Sequence, residues 1–107
     1  MKIINGKKFY EREIKAAQRI DNHGWDHYDG RNWQQYWLEY NPECGLVILT
    51  GNNSGDCYGD YSTRYFDSPA AFREWCDERM RSWEKLLGDI DEGNAAAMAF
   101  AGAMLGA

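Results

Sequence analysis

The sequence predicts an α+β fold in which a small antiparallel β-sheet packs against two main α-helices, with a short Ala-rich helix at the C-terminus. The stretches "NWQQYWLEY" and "YSTRYF" alternate in character on either side of the apolar run "LVILT", as expected for three neighbouring strands. Apolar residues at three- and four-residue spacing follow Ser68-Pro69, as in an amphipathic helix. A chain of 107 residues has the length of one domain, and we expect residues 1–107 to form it.

The N-terminal segment predicts an extended start and then a helix. Asn5-Gly6 is a strong signal for a hairpin with a type I′ turn, although Ile3 and Ile4 could instead form one strand that leads directly into the helix. The helix is predicted from about Tyr10 to His23, with acidic residues in its first turn and Gly24 as its C-terminal stop. Its predicted buried stripe is thin and consists of Ile14 and Ala17. Whether Tyr10 also belongs to this stripe is left open.

The central strands follow a predicted loop, "GWDHYDG". In "NWQQYWLEY" we expect Tyr36, Leu38 and Tyr40 to face the core. The run "LVILT" is typical of a fully buried strand, and "YSTRYF" is expected to pair with it. The glycine-rich stretch "GNNSGDCYGDY", residues 51–61, is then the tip of a hairpin.

The clearest local signal is Ser68 as an N-cap with Pro69 at the first helical position. One helix is predicted over residues 69–87 and ends at Gly88. Its buried face comprises Phe72, Trp75, Cys76, Met80, Trp83 and Leu87.

The C-terminal residues 94–107 form an apolar tail. Asn94 is a candidate cap for a short helix that reaches Leu105 and is apolar on nearly every side, so it must be buried. Two alternatives stay open, since the tail could complete the core or form a homodimer contact. No signal peptide and no membrane span is evident, and three Cys without a metal or disulfide pattern indicate reduced thiols, so a cytoplasmic location is expected.

The formal net charge is −5, and the acidic residues are concentrated in the middle of the chain. Residues 1–20 hold six Lys/Arg against two acids, whereas residues 21–78 hold three Arg against eleven acids. This distribution disfavours direct binding of nucleic acid and favours a basic protein partner. The aromatic strand also lacks the interleaved Lys and Arg of a single-strand binder.

Several kinds of chemical site fit the sequence poorly. A phosphate-binding loop needs a helix after its glycines, but here a strand follows residues 51–61 and acidic residues lie within the loop. A calcium loop would lack its closing Glu. The four-residue spacing of His23 and His27 leaves a small metal-dependent enzyme as a less favoured alternative. We therefore predict a protein that is not an enzyme and has no metal or cofactor.

The acidic residues are mostly predicted in loops or on exposed helix positions, which is typical of a solubility surface. The functional interpretation is a negative patch that competes with DNA for a basic groove. Carboxylates would speed association with such a groove, and aromatic anchors such as Trp33 would slow release. The patch includes Glu39, Asp56 and Asp60.

A resemblance sharpens this interpretation. The stretches "WDHYDGRNWQQYWLEYNPECGLVILTG" and "RYFDSPAAFREWCDERMRSWEKLLGDIDE" resemble the small acidic phage anti-CRISPR proteins that act on type I surveillance complexes. The resemblance covers roughly residues 10–92 and includes an Asp-Gly loop and a Trp-x-Asp-Glu element from Trp75 to Glu78. It implies a DNA mimic in the bacterial host cytoplasm that occupies the basic DNA-binding subunit of the complex. The contacts carried over are Asp26, Asp29, Asp77, Glu78 and Glu84.

A different function also remains open. The apolar tail over residues 94–107 could be the interface of a homodimeric phage or bacterial adaptor protein. In that case the activity would depend on the tail and not on the acidic loops.

Overall fold

The computed structural model describes residues 1–29, 32–52, 61–79 and 81–106, and for residues 25–29, 32–34 and 52 it describes the backbone alone. In chain order the elements are β1 (Lys2–Ile4), β2 (Lys7–Phe9), α1 (Glu11–Lys15), β3 (Gln18–Arg19), β4 (Trp25–Asp29), β5 (Asn32–Asn41), β6 (Leu46–Asn52), β7 (Tyr61–Phe66), α2 (Pro69–Glu78), α3 (Trp83–Leu87) and α4 (Ala95–Gly106). The strands form a two-stranded and a five-stranded antiparallel sheet, so the predicted α+β class is confirmed.

The N-terminal hairpin forms as its Asn-Gly pair predicts. Strands β1 and β2 pair antiparallel, with Ile4 opposite Lys7. Asn5 and Gly6 have φ angles of 50° and 82°, in the left-handed region that both central residues of a type I′ turn require. The hairpin alternative is therefore the one that the chain adopts.

The predicted helix from Tyr10 to His23 is wrong beyond its first turn. Helix α1 ends at Lys15, and β3 then pairs Gln18 and Arg19 with β5. The helical stripe offered little apolar surface to bury, whereas Ile20 becomes fully buried in the sheet core, so tertiary pairing outweighs helix propensity. Gly24 does not end a helix; it has a φ of 98° and leads into β4, which replaces the loop predicted there.

The five-stranded sheet is built around β5, which pairs along its whole length. One edge of β5 pairs with β6, and β6 pairs with β7. The other edge pairs first with β4, opposite residues 32–36, and then with β3, opposite residues 39–40. Tyr36, Leu38 and Tyr40 are buried as predicted, and the "LVILT" strand is buried over its first four residues. The predicted hairpin tip, residues 53–60, lies outside the described residues.

The helix predicted over residues 69–87 is two helices. Ser68 caps α2 by accepting a hydrogen bond from the backbone N–H of Ala71 at 3.1 Å, as predicted. Helix α2 does not continue to residue 87. Instead, Ser82 caps a second helix by accepting a hydrogen bond from the N–H of Lys85 at 3.2 Å. Helix α3 ends at Gly88, also as predicted. The indole N–H of Trp83 donates to the Asp77 carboxylate at 3.1 Å and closes the turn between the helices.

The C-terminal tail completes the core. Asn94 caps α4 by accepting from the N–H groups of Ala96 and Ala97 at 2.8 and 3.2 Å. The Phe100 ring packs against Tyr40 and Phe72, with ring centroids 5.4 and 5.9 Å apart. The predicted helix is confirmed, but it buries only one face, through Ala96, Ala97, Phe100 and Met104, while Met98 and Leu105 are exposed. The homodimer contact stays a prediction.

The hydrophobic core lies on both faces of the five-stranded sheet. Helices α2, α3 and α4 cover one face, which we call the helix face, through a cluster that includes Leu38, Leu49 and Phe72. On the opposite face, a smaller cluster of Phe9, Leu46 and Ile48 packs with side chains of the hairpin and α1. The hairpin and α1 cover only the part of this outer face around Ile48.

The gap between β3 and β4 is closed by a buried carboxylate. Asp21 is 5% exposed, and its Oδ1 accepts the backbone N–H of Leu38 in β5 at 2.9 Å. Its Oδ2 accepts from the Arg19 guanidinium, from Nε at 3.2 Å and Nη2 at 3.0 Å. The side chain therefore does for the strand edge what a backbone carbonyl would do in a continuous ladder.

The same short segment holds the connection between α3 and α4. The N–H of Asn22 donates to the carbonyl of Asp89, and the N–H of Asp91 donates to the carbonyl of Ile20, both at 2.9 Å. The Asn94 side chain adds a bond to the carbonyl of Arg19 at 3.2 Å. Residues 19–22 thus join the sheet edge to the loop that positions α4.

We expect Asp21→Ala to lower the free energy of unfolding by about 2–4 kcal/mol, because it leaves the Leu38 N–H unpaired and removes the partner of Arg19. Asp21→Asn keeps an acceptor for Leu38 and should cost about half as much. Urea unfolding followed by tryptophan fluorescence measures both. Glu92→Ala, at an exposed acid of the neighbouring loop, is the control. Equal stability of the Ala variant and the control would contradict the assigned role.

Phe100→Ala should cost about 3–5 kcal/mol, because a fully buried ring is removed from the core. Met98→Ala lies on the same helix at a side chain that is 51% exposed, and it should change stability by about 0.5 kcal/mol or less. Thermal unfolding of both variants tests whether α4 belongs to this core. Equal effects of the two substitutions would contradict that placement.

Candidate functional site

The part of the outer face that the hairpin and α1 leave uncovered carries the best candidate site. The register aligns Arg19, Glu39 and Ile48 in one row across β3, β5 and β6, and it aligns Trp37 and Thr50 in the next row. Ile48 lies under the hairpin and α1, whereas the neighbouring positions lie around a shallow, open depression. Of the described side chains, those of Arg19, Trp37, Glu39 and Thr50 line it, around a volume of about 280 Å³. We call this feature the outer-face depression.

Glu39 is the unusual group in the outer-face depression. Its carboxyl is half-buried, and burial raises its pKa above the ordinary value. Asp21 raises this pKa further, while Arg19 lowers it. The Arg19 guanidinium nevertheless donates to Asp21, and no ion pair or side-chain hydrogen bond among the described residues involves Glu39. The depression therefore presents a partly desolvated carboxylate that has no ion pair or side-chain hydrogen bond within the described part of the chain.

Trp37, which lines the depression, forms an aromatic pair with Tyr61. The rings of Trp37 and Tyr61 lie 5.3 Å apart between centroids, tilted by 45°. Tyr61 is 58% exposed. Exposed aromatic rings beside a carboxylate are suited to cations, which the electron-rich ring face attracts.

The other predicted contact residues occupy different places. Asp77, Glu78 and Glu84 are exposed at the junction of α2 and α3, which lie on the helix face, so the sheet separates them from Glu39. The backbone of β4 and β5 places Asp26 opposite Gln35, Asp29 opposite Asn32 and Trp33 opposite Tyr28. The side chains of Asp26, Asp29 and Trp33 lie outside the described residues, as do Asp56 and Asp60 entirely.

Near the same helix junction lies a cluster of arginines that the sequence does not predict. The guanidinium carbons of Arg64, Arg79 and Arg81 lie 5.6, 4.9 and 5.8 Å from the centroid of the Trp75 ring. Burial raises the pKa of the Tyr36 hydroxyl, and the positive charges of all three arginines oppose that rise. Arg64 comes from β7, Arg79 is the C-cap of α2 and Arg81 lies between α2 and α3, so no local spacing could have predicted the cluster.

The residues considered for a zinc site or a reactive thiol have the following surroundings. His23 is exposed and places Nδ1 3.1 Å from the Asp89 carboxylate, while the His27 side chain lies outside the described residues. Within the described part of the chain, no three His, Cys, Asp or Glu side chains are grouped so that they could hold a metal ion. Burial raises the pKa of Cys76 to about 12, which keeps this core thiol protonated and unreactive at neutral pH. Cys76 is buried in the core as predicted.

Comparisons of the chain with protein-family models, with curated protein sequences and with solved structures give no significant match. None of the helices in the described ranges is both long and apolar enough to cross a membrane.

Glu39 is predicted from the sequence as a contact residue, and Trp37 fits the pattern of an aromatic anchor, whereas Arg19 and Thr50 are not singled out. The sequence predicts a helix at Arg19 and a fully buried strand at Thr50. The available signal was the alternation of β5, which puts Trp37 and Glu39 on the face away from Leu38. Trp37 and Glu39 lie near Arg19 and Thr50 because of the register of three strands, and this register cannot be predicted from the sequence.

We expect Glu39→Gln to stabilise the protein at neutral pH. Glu39 has a raised pKa in the folded state, so the fold favours the protonated form and loses stability as the pH rises through that pKa. The gain from Gln should therefore shrink as the pH falls toward the ordinary value of 4.5. Urea unfolding between pH 4 and 7 measures this, with Glu43→Gln at an exposed acid as the control. A gain that grows toward acid pH would contradict the assignment.

Proposed function

We propose that the protein is a non-enzymatic inhibitor that binds a basic DNA-binding surface of a type I CRISPR surveillance complex and keeps target DNA from it. The resemblance of residues 10–92 to small acidic anti-CRISPR proteins suggests this partner. The observation that carries the proposal is the set of exposed carboxylates of Asp77, Glu78 and Glu84 at the α2–α3 junction. We call this set the junction carboxylates.

A hydrogen bond and a helix cap limit the motion of the part of the chain that carries the junction carboxylates. The Trp83 indole fixes Asp77 through a hydrogen bond of 3.1 Å, and Ser82 caps the helix that carries Glu84. Trp83 is itself 8% exposed and belongs to the core. Charges that are already positioned lose less conformational entropy on binding than charges on a free loop. A preorganised array supports competition with the regular phosphates of DNA.

The arginines at the same junction leave the carboxylates accessible. Arg79 lies against the Trp75 ring, and its distance of 3.9 Å to the Glu78 carboxylate makes a long, weak ion pair. Arg81 also lies over the Tyr36 ring, 5.4 Å from its centroid. Since these cations pack on aromatic rings, Glu78 remains 64% exposed and Glu84 is exposed as well.

The double variant Glu78→Lys/Glu84→Lys tests the proposal. Charge reversal against a basic groove should weaken capture of the target complex by about a hundredfold, because like charges then face each other. Asp77 is kept, since it supports Trp83. The measurement is a pull-down of tagged protein with purified type I complexes of several subtypes, followed by DNA-binding competition on any complex that is retained.

Glu11→Lys/Glu92→Lys is the matched control, since it makes the same change in net charge at two exposed acids elsewhere. It should change capture by about threefold or less, as expected for charges outside the interface. Equal capture by the two double variants would reject the junction carboxylates as the contact. Capture of no complex by the unaltered protein would reject the proposed partner.

A further inference from the structure

The outer-face depression has the size of a site for one side chain. Its volume of about 280 Å³ lies just under the range of roughly 300–1,000 Å³ that is typical of pockets for drug-sized ligands. It is open to solvent at the face of the sheet that the hairpin and α1 leave uncovered. A side chain from a docked protein can therefore enter it without any rearrangement of the core.

The charge of the depression favours a cation. Arg19 and Asp21 neutralise each other through contacts of 3.0 and 3.2 Å, and the Asp21 side chain is fully buried beneath the exposed part of Arg19. The Glu39 carboxylate then remains as a half-buried negative charge without an ion pair among the described residues. A desolvated charge of this kind is costly by itself and becomes favourable once a cation pairs with it.

The aromatic side chain at the depression favours one class of cation. The Trp37 ring, which Tyr61 packs against, offers a surface on which a flat, delocalised cation can stack. A guanidinium is planar, is less strongly hydrated than an ammonium and can donate two parallel hydrogen bonds to one carboxylate. Thr50 adds a hydroxyl that can accept a further bond from it.

We propose that the outer-face depression receives one arginine side chain of a protein partner, which stacks on Trp37 and pairs with Glu39. This recognition is separate from the proposed inhibition, which rests on the junction carboxylates on the other side of the sheet. A partner bound through this face contacts the protein at a second surface. The arginine contact fixes the position of that partner, because a bidentate pair is more directional than a general attraction between charged surfaces.

The test is an NMR titration of the full chain with Nα-acetyl-arginine amide, followed through the indole N–H signal of Trp37. Trp37→Phe assigns that signal by its loss. We expect saturable binding, with weaker binding of Nα-acetyl-lysine amide. Glu39→Gln should weaken binding of the arginine probe by about tenfold or more, since it removes a charge-assisted pair. Tyr61→Leu should weaken it by about two- to fivefold.

Glu43→Gln is the control, because it removes one exposed carboxylate outside the depression and should leave the affinity unchanged. Failure of the arginine probe to saturate would overturn the proposal, as would equal binding to the unaltered protein and to Glu39→Gln. Equal affinity for the lysine probe would overturn the choice of a guanidinium. The titration contains no CRISPR complex, so its outcome is independent of the capture experiment with the junction variants.

Discussion

The carboxylate of Asp21 is the interaction on which the arrangement of the other elements depends. It accepts from the Leu38 backbone on one side and from Arg19 on the other, at the point where the first edge strand stops and the next has not begun. Around it, residues 20–22 bond to the loop that precedes α4. A helical turn at this place could not supply both contacts. Helix α1 therefore ends at Lys15, and the buried Asp21 carboxylate completes the sheet edge.

The early end of α1 has a second effect, on the surface. A helix that continued to His23 would carry residues 18 and 19 away from the sheet, whereas the observed chain lays Arg19 beside Glu39. The hairpin and α1 then cover the outer face only around Ile48 and Tyr65. The depression lies on a part of that face that these two elements leave open. Its existence and the binding of Arg19 to Asp21 thus have one physical cause.

Local rules predicted the parts of the fold that local energies decide. The Asn5-Gly6 turn, the Ser68 and Asn94 caps and the alternation of β5 each depend on a few neighbouring residues, and each is observed. The two helix boundaries that were wrong depend on distant or competing partners. Gln18 and Arg19 pair with β5, and Ser82 caps a second helix where a continuous apolar periodicity indicated one. The arginines around Trp75 and the lining of the depression required the three-dimensional register, so spacing alone could not reveal them.

The five-stranded sheet divides the charged groups into two surfaces with different chemistry. On the helix face, the junction carboxylates lie beside arginines that pack on aromatic rings, and the carboxylates are well solvated. On the outer face, one carboxylate is partly desolvated and lies beside Trp37, whose ring contacts the exposed Tyr61. Solvated charges act at long range and mainly raise the association rate, while a desolvated charge with an aromatic neighbour gains most from close contact and slows dissociation. Because the core separates the two surfaces, a flat basic groove can engage only one of them at a time. The solvated surface is therefore suited to the first attraction of a large basic partner, and the desolvated surface is suited to holding a single side chain.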